Sequence, residues 1–145
     1  LTALLTGQRT QTLHLLSIQK MSVTAEFYKF RIGDIIKETR PGDHLVKLSY
    51  VPACPYDRRL CIVSILNDYL SRTKDVRGKT SQLFLSYTKR CKAESKSTIA
   101  RWMKTVLHDS GIDTSLFPQH STRVASTSHA NRSSVPLHTI MRTAR

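Results

Sequence analysis

The sequence predicts a mostly helical α+β domain with a small antiparallel β-sheet on one side. Apolar residues recur at helical spacing over 56–72 and 97–107. Residues 27–32 alternate as in a half-buried strand, and a Pro-Gly-Asp turn separates them from a second such stretch at 45–50. Because 145 residues fit one domain with a modest core, we expect a single domain over 1–145.

The first helix is expected over residues 1–6, which are apolar from the start and have no capping residue before them. This pattern predicts that the chain begins inside a helix and that further residues precede it. Gly7 ends the helix, and a new helix begins near Arg9. The buried stripe of this second helix consists of Leu13, Leu16 and Ile18, with Leu15 beside it.

The sheet is expected to start with residues 27–32, where large apolar and basic side chains alternate. The apolar run at 35–37 continues this strand. Pro41, Gly42 and Asp43 form a turn signal, and residues 45–50 return as the second strand. Two strands joined by a short turn pair in antiparallel fashion.

The middle of the chain is expected to form a loop, a helix, a strand and another helix. A proline-bounded loop at 52–55 precedes a helix over 56–72, and a basic loop at 74–79 leads to a strand at 82–87. The core face predicted for the 56–72 helix consists of Leu60, Val63, Ile65, Leu66 and Leu70. The helix over 97–107 has Ser95 or Ser97 as its N-cap and Gly111 as its end, with Ile99, Met103, Val106 and Leu107 at core spacing.

Two helices are expected in the last thirty residues. One follows Pro118 and carries His120 and Arg123 three positions apart, on one face. A break at 133–136 follows, and Pro136 then opens a last helix. The apolar positions of that helix are Leu137, Ile140 and Met141.

The charge is strongly positive. There are 23 Lys and Arg residues against 10 Asp and Glu residues, a net charge of +13, and no acidic residue follows Asp113. A charge of this size attracts polyanions, most often nucleic acid, with strong salt dependence. No run of eighteen apolar residues and no signal-peptide pattern occurs, so we expect an intracellular protein that does not span a membrane.

The stretch around His120 and Arg123 suits phosphate chemistry. The guanidinium is a planar fork of donors that binds pairs of oxyanion oxygens, and the imidazole exchanges a proton near neutral pH. The same spacing also occurs on ordinary solvated helix faces. A second arginine, Arg9, stands at a helix start, where a cation is electrostatically unfavourable unless an anion binds beside it.

Two short segments resemble the arginine boxes of the tyrosine recombinase (phage integrase) family. Thr6-Gly7-Gln8-Arg9 resembles the first box, and His120-Ser121-Thr122-Arg123 resembles the second. They occur in the family's order, and the resemblance covers essentially the whole chain. It implies a truncated catalytic domain that recombines or integrates DNA by phosphodiester transesterification through a phosphotyrosine intermediate.

The resemblance also implies roles for individual residues. Arg9 and Arg123 would neutralise the phosphate, and His120 would hold an oxygen or move the nucleophile's proton. A lysine on the hairpin between the boxes would protonate the leaving 5′ oxygen; Lys37 matches best by position, and Lys47 is the second choice. A strand lysine that simply faces water is the competing interpretation of Lys37.

Partners and cofactors follow from the same resemblance. Double-stranded DNA is the expected partner, and the basic residues Lys89, Arg90, Lys92 and Lys96 are the expected phosphate contacts. Relatives assemble as tetramers on DNA, so a homo-oligomer is expected there. No metal and no nucleotide cofactor is implied, and a eukaryotic source would place the protein in the nucleus.

Two parts of the family pattern do not occur in the sequence. The third-box His or Trp and the nucleophilic tyrosine lie downstream of the second box in the family, whereas no tyrosine follows Tyr87 here. We therefore expect this chain alone to bind phosphate without cleaving DNA. Two alternatives remain open: a non-catalytic DNA-binding relic of a mobile element, and an unrelated basic RNA-binding protein.

Overall fold

The computed structural model describes residues 1–32, 47–54, 56–86, 88, 91–118 and 120–144. Helices predominate in these ranges, and a three-stranded antiparallel sheet accompanies them. The elements are α1 (Thr2–Thr6), α2 (Thr10–His14), a 3₁₀ turn (Ile18–Lys20), β1 (Met21–Val23), β2 (Phe27–Ile32), β3 (Lys47–Pro52), α3 (Ile62–Thr73), α4 (Lys96–Asp109), α5 (Ser121–Arg132) and α6 (Leu137–Ala144). The expected mostly helical α+β architecture is confirmed.

The sheet has the order β1-β2-β3. β2 pairs antiparallel with β3, with Tyr28 opposite Val51, which confirms the predicted strand and its returning partner. β1 was not predicted; it is a three-residue strand whose Met21 lies opposite Phe30. The apolar run at 35–37 and the turn at 41–43 lie outside the described residues.

One face of the sheet forms part of the core. Tyr28, Phe30 and Ile32 alternate along β2 and are almost fully buried, as the period of a strand with one buried face requires. Helix α3 and helix α1 contact β3, while α2 packs on α4, and α5 packs between α1 and α6. The core is completed by residues from the helices, from β3, from the end of the α2 segment and from the 83–85 segment: Ala3, Leu13, Leu16, Val51, Ile62, Val63, Leu66, Leu83 and Ile99.

The predicted helix over 56–72 was wrong at its start, because the helix begins only at Ile62. Asp57 forms a turn instead: its carboxylate accepts from the Arg59 backbone N–H at 2.8 Å, and its carbonyl accepts from the Leu60 N–H at 3.1 Å. An aspartate that binds its own backbone in this way favours a turn over a helix. Leu60, at the end of this turn, is therefore exposed rather than in the core. Ile65 lies within α3 but off its buried face, and it is exposed as well.

The strand predicted at 82–87 is not a regular strand. Leu83 donates its N–H to the Leu16 carbonyl at 2.7 Å, but the next inward residue, Leu85, donates to the Tyr69 hydroxyl at 2.9 Å. On this side a side chain takes the place of a neighbouring strand, so the pairing that begins at Ser17 and Gln82 does not continue. On the other side Leu85 forms only an isolated antiparallel bridge with Ala93. The buried guanidinium of Arg77 holds this segment by donating to the Gln82 and Leu83 carbonyls.

The predicted helix ends in the second half are confirmed. Ser95 caps α4 by accepting from the Thr98 N–H at 3.1 Å, and Gly111 has the positive φ of 77° that a helix end favours. Both expected helices after Pro118 form. Val106, which was placed at core spacing, is instead exposed, because α4 is covered on one side only. Of the apolar positions in the last helix, Ile140 is buried, whereas Leu137 and Met141 are exposed.

Candidate functional site

A left-handed turn at Gly7 positions Arg9. Gly7 ends α1 with φ 58° and ψ 21°, a conformation that glycine adopts without steric cost. The chain then extends at Arg9, whose carbonyl accepts from the Leu13 N–H at 3.0 Å and starts α2. Arg9 is therefore the exposed N-cap residue of α2.

The beginning of α5 supplies the other two residues. His120 is the N-cap residue of α5 and is exposed, and Arg123 lies in the first turn and is half-buried. The Arg123 guanidinium reaches the first box directly, because its Nη1 donates to the Gly7 carbonyl at 3.2 Å. Residues 116 positions apart in sequence are thereby brought into contact.

Helix α6 fixes the same corner from another side. Arg123 Nη1 also donates to the Ala144 carbonyl, and Gln8 Nε2 donates to the Thr143 carbonyl at 2.5 Å. Gln8 is buried, so the hydrogen bond from its side-chain amide is shielded from water. The last carbonyls of a helix accept no hydrogen bond from within the helix. In α6, the side chains of Arg123 and Gln8 supply the missing donors.

Arg9, His120 and Arg123 open into one cleft. Its volume is about 390 Å³, and its lining residues come from α2, α4 and α5 and the turn before α2: Gln8, Arg9, Thr10, Met103, His120, Arg123 and Val124. None of these lining residues is acidic. The three residues that sequence reasoning grouped together therefore share one solvent-accessible space.

The electrostatics of the cleft favour an anion. Burial lowers the pKa of the Arg123 guanidinium, and the positive charge of Arg9 lowers it further. Two cations close enough to repel each other gain free energy when an oxyanion binds between them. With an imidazole at the rim and the Thr10 hydroxyl in the lining, the cleft has the donors to hold a phosphodiester.

Comparison with solved structures identifies the architecture. The chain superposes on XerA recombinase with a TM-score of 0.71 and 20% identity, covering 99% of this chain and 46% of that one. It superposes on XerH site-specific recombinase, bound to palindromic difH substrate in a post-cleavage complex, with a TM-score of 0.69 and 14% identity over 98% of this chain. The chain has a tyrosine-recombinase-like fold. No protein-family model and no curated protein matches the sequence.

This chain spans only part of such a recombinase. A pre-cleavage complex of XerH with difH gives a TM-score of 0.68 at 15% identity and covers 97% of this chain. In both XerH complexes the matched part is 36% of the recombinase chain. The tyrosine-recombinase-like fold here therefore corresponds to less than half of each of these solved proteins.

The remaining predicted site residues are placed unevenly. Lys37, Lys89 and Arg90 lie outside the described residues. Lys92 and Lys96 are exposed, and Lys96 opens α4, the helix that contributes Met103 to the cleft. Lys96 and Met103 are seven positions apart, so they lie on the same face of α4, about 10 Å apart along the helix axis. Lys47, the second choice for the leaving-group lysine, is the first residue of β3.

Sequence reasoning missed four lining residues. Gln8 and Thr10 flank Arg9, and both line the cleft. Nothing in their spacing indicates this, or that Gln8 is also buried and bonded to α6. Met103 was assigned to a core face, and it meets both the core and the cleft because the cleft lies at the edge of that core. Val124 follows Arg123 and is largely exposed, which a helical pattern does not reveal.

No cluster of metal-ligating side chains occurs among the described residues. Within the same ranges no helix combines the length and the hydrophobicity needed to cross a bilayer.

Proposed function

We propose that this chain is the DNA-binding, phosphate-activating part of a tyrosine recombinase catalytic domain. The observation that carries the proposal is the shared cleft of Arg9, His120 and Arg123. Support comes from the recombinase-like fold and from the net charge of +13, which favours binding to the backbone of double-stranded DNA. Each feature alone fits other proteins, but together they favour phosphodiester chemistry.

The two arginines would act on the transition state. When a tyrosine oxygen attacks the phosphorus and the 5′ oxygen leaves, negative charge builds up on the non-bridging oxygens. Arg9 and Arg123 would neutralise this charge from two sides, and the bond of Arg123 to Gly7 would hold its guanidinium in place beforehand. Preorganised donors of this kind contribute about 3–4 kcal/mol each to catalysis.

His120 and Lys37 would handle protons. The imidazole of His120 lies at the cleft rim, where it could hold a phosphate oxygen or take the proton of the attacking hydroxyl. Lys37 is proposed, from the resemblance alone, to donate a proton to the leaving 5′ oxygen. The reaction exchanges one phosphate ester for another, so its balance requires neither an oxidant nor a nucleotide.

The attacking tyrosine has no candidate in the cleft lining. Among the described tyrosines, Tyr28 is buried in the core, and the Tyr69 hydroxyl accepts a hydrogen bond from the Leu85 N–H. We therefore propose that this chain binds and orients the phosphate, and that the nucleophile comes from another part of the recombinase. Tetramer assembly on paired DNA sites is proposed on the same resemblance.

The test is a suicide-substrate assay with the full-length protein that contains this chain. A nicked duplex traps the covalent 3′-phosphotyrosine adduct because the short leaving strand diffuses away. We expect Arg9→Gln and Arg123→Gln each to slow adduct formation by about 10²–10³-fold. The matched control is Arg132→Gln, an exposed arginine at the far end of α5, which should retain the normal rate.

Adduct formation that proceeds normally in Arg9→Gln and Arg123→Gln would contradict the catalytic proposal. DNA binding with no adduct from the full-length protein would favour the second candidate function, a non-catalytic DNA-binding relic. That candidate is supported by the described residues of the cleft lining, among which there is no tyrosine. A preference for RNA over duplex DNA at matched salt would instead favour an RNA-binding protein.

A further inference from the structure

A second basic surface lies on the outer face of the sheet. Tyr28, Phe30 and Ile32 point into the core, so the side chains between them, Lys29 and Arg31, lie on the opposite face. Arg31 is exposed and Lys29 is half-buried. The alternation of side chains along β2 therefore places the two cations, Lys29 and Arg31, next to each other on one face of the sheet.

The pairing with β1 adds a third cation to the same face. Ser22 lies opposite Lys29, and Met21 lies opposite Phe30. Lys20, the last residue of the 3₁₀ turn, directly precedes Met21 and lines the same space as Lys29 and Arg31. Cations gathered on one face of a sheet attract an anion to that face.

These side chains line a cleft of about 300 Å³, called here the sheet cleft. Its lining residues are Gln19, Lys20, Met21, Ser22, Lys29 and Arg31. Among the lining residues that the structure describes, three are cations, none is acidic, and the Ser22 hydroxyl adds a neutral donor. The sheet cleft shares no lining residue with the cleft of Arg9 and Arg123.

We propose that the sheet cleft binds backbone phosphates of double-stranded DNA, as a contact separate from the Arg9–Arg123 cleft. This inference rests on the proposed function, since it takes DNA as the ligand. Lys29 and Arg31 are two positions apart on one strand, about 6.6 Å along it. That spacing is comparable to the separation of successive phosphates in one DNA strand, so each cation meets its own phosphate.

The contact would position the DNA without reading its sequence. Phosphate contacts by Lys and Arg fix the register of a protein on a duplex, whereas base edges carry the specificity. The sheet cleft also lies on β1 and β2, whereas the candidate catalytic cleft is built from helices. Two phosphate contacts on different elements restrict rotation of the duplex more than one contact does.

The test compares two triple variants of the chain that each remove three positive charges. The first is Lys20→Gln/Lys29→Gln/Arg31→Gln. The control is Arg58→Gln/Lys74→Gln/Lys79→Gln, whose three cations are exposed and lie outside both clefts. Fluorescence anisotropy with a labelled duplex gives Kd over a series of salt concentrations.

We expect the sheet-cleft variant to lower the slope of log Kd against log salt by about 2–3, because each lost phosphate contact contributes about 0.9. Its Kd should rise at least tenfold relative to the control variant at about 0.15 M salt. Equal slopes and equal Kd values for the two triple variants would overturn the proposal.

A third variant separates this inference from the proposed function. Arg9→Gln/Arg123→Gln removes the cations of the other cleft and leaves the sheet unchanged. If only this variant weakens DNA binding, the sheet-cleft proposal fails and the proposed function survives. If only the sheet-cleft variant weakens binding, the sheet-cleft proposal is supported. A normal rate of adduct formation in Arg9→Gln and Arg123→Gln would contradict the transition-state role of these two residues and leave the sheet-cleft proposal standing.

NMR of the unmodified chain provides a readout that does not depend on variant folding. Addition of the duplex should shift the backbone amide signals of Ser22 and Lys29, and inorganic phosphate at the same phosphate concentration should not. Equal shifts with inorganic phosphate would identify a small-anion site and overturn the DNA assignment. Unchanged amide signals at saturating duplex would overturn it as well.

Discussion

Gly7→Ala tests whether the turn before Arg9 holds the candidate catalytic cleft together. Gly7 adopts φ 58°, where a Cβ costs about 1–2 kcal/mol. The loss of flexibility in the unfolded chain offsets about 0.4–1 kcal/mol of this cost. We therefore expect a net loss of about 1 kcal/mol in the free energy of unfolding, which corresponds to about 2–4 °C in Tm for a domain of this size.

The same substitution should also disturb the cleft. An added Cβ at Gly7 would lie 3.4 Å from the Ala144 Cβ, at the tight end of ordinary contact, and the Gly7 carbonyl accepts from Arg123. Loss of one such hydrogen bond costs about 0.5–1.5 kcal/mol. We expect the Kd for duplex DNA to rise by about 2- to 12-fold.

Gly111→Ala is the matched control. Gly111 has φ 77°, so it bears similar backbone strain, but nothing lies within 4 Å of its added Cβ. Both variants should lose similar stability in thermal unfolding followed by circular dichroism, whereas only Gly7→Ala should weaken DNA binding in anisotropy titrations. Equal Kd values for the two variants would refute the link between the turn and the cleft.

Three further predictions concern stability and reactivity. Arg77→Lys keeps the buried charge but loses the planar fork, so urea unfolding should show a loss of about 2–3 kcal/mol. Ser95→Ala removes the hydroxyl that accepts from the Thr98 N–H, so it should cost about 1 kcal/mol in the same assay. The backbone N–H of Ser64 lowers the pKa of the Cys61 thiol, so iodoacetamide should label Cys61 faster than Cys91 at neutral pH, and labelling should slow as the pH is lowered and the thiolate is protonated.

Each of these predictions has its own control. Lys79→Ala removes an exposed cation beside Arg77 and should change stability by less than about 0.5 kcal/mol. Thr105→Ala, at an exposed position inside α4, should be neutral or stabilising because alanine is the better helix former. Cys91, also half-buried, is the internal reference for labelling. A larger loss for either control, or equal labelling of the two thiols, would contradict the corresponding reasoning.

The parts of the fold that could be predicted depend on local chemistry. Gly7, Ser95, Gly111 and Pro136 each mark a helix end through their own backbone or side chain, and each end was found where the sequence indicated it. The alternation of β2 also depends on neighbouring residues only. Such signals need no knowledge of the rest of the fold.

The parts that could not be predicted depend on distant partners. The 82–87 segment has strand composition, but the Tyr69 hydroxyl replaces a strand at Leu85. The short β1 strand is fixed by its pairing with β2 and has no pattern of its own. Within the site, the spacing of His120 and Arg123 could be predicted from the sequence, but the bond of Arg123 to Gly7 depends on how α5 packs against α1.

The way α5 packs explains why the two boxes meet. This helix is rich in small polar residues and has no apolar stripe, so burial of large side chains cannot determine its position. A hydrogen bond and a close backbone approach do so instead. The Ser126 hydroxyl donates to the Leu4 carbonyl at 2.5 Å. Gly7 lies so near Thr127 that a Cβ added at Gly7 would be 3.9 Å from the Thr127 methyl group. Because small residues allow the backbones of α1 and α5 to approach, Arg123 reaches the turn that carries Arg9. The geometry of the candidate site therefore depends on residues that take no part in its chemistry, and enlarging them should separate the two guanidinium groups while leaving both intact.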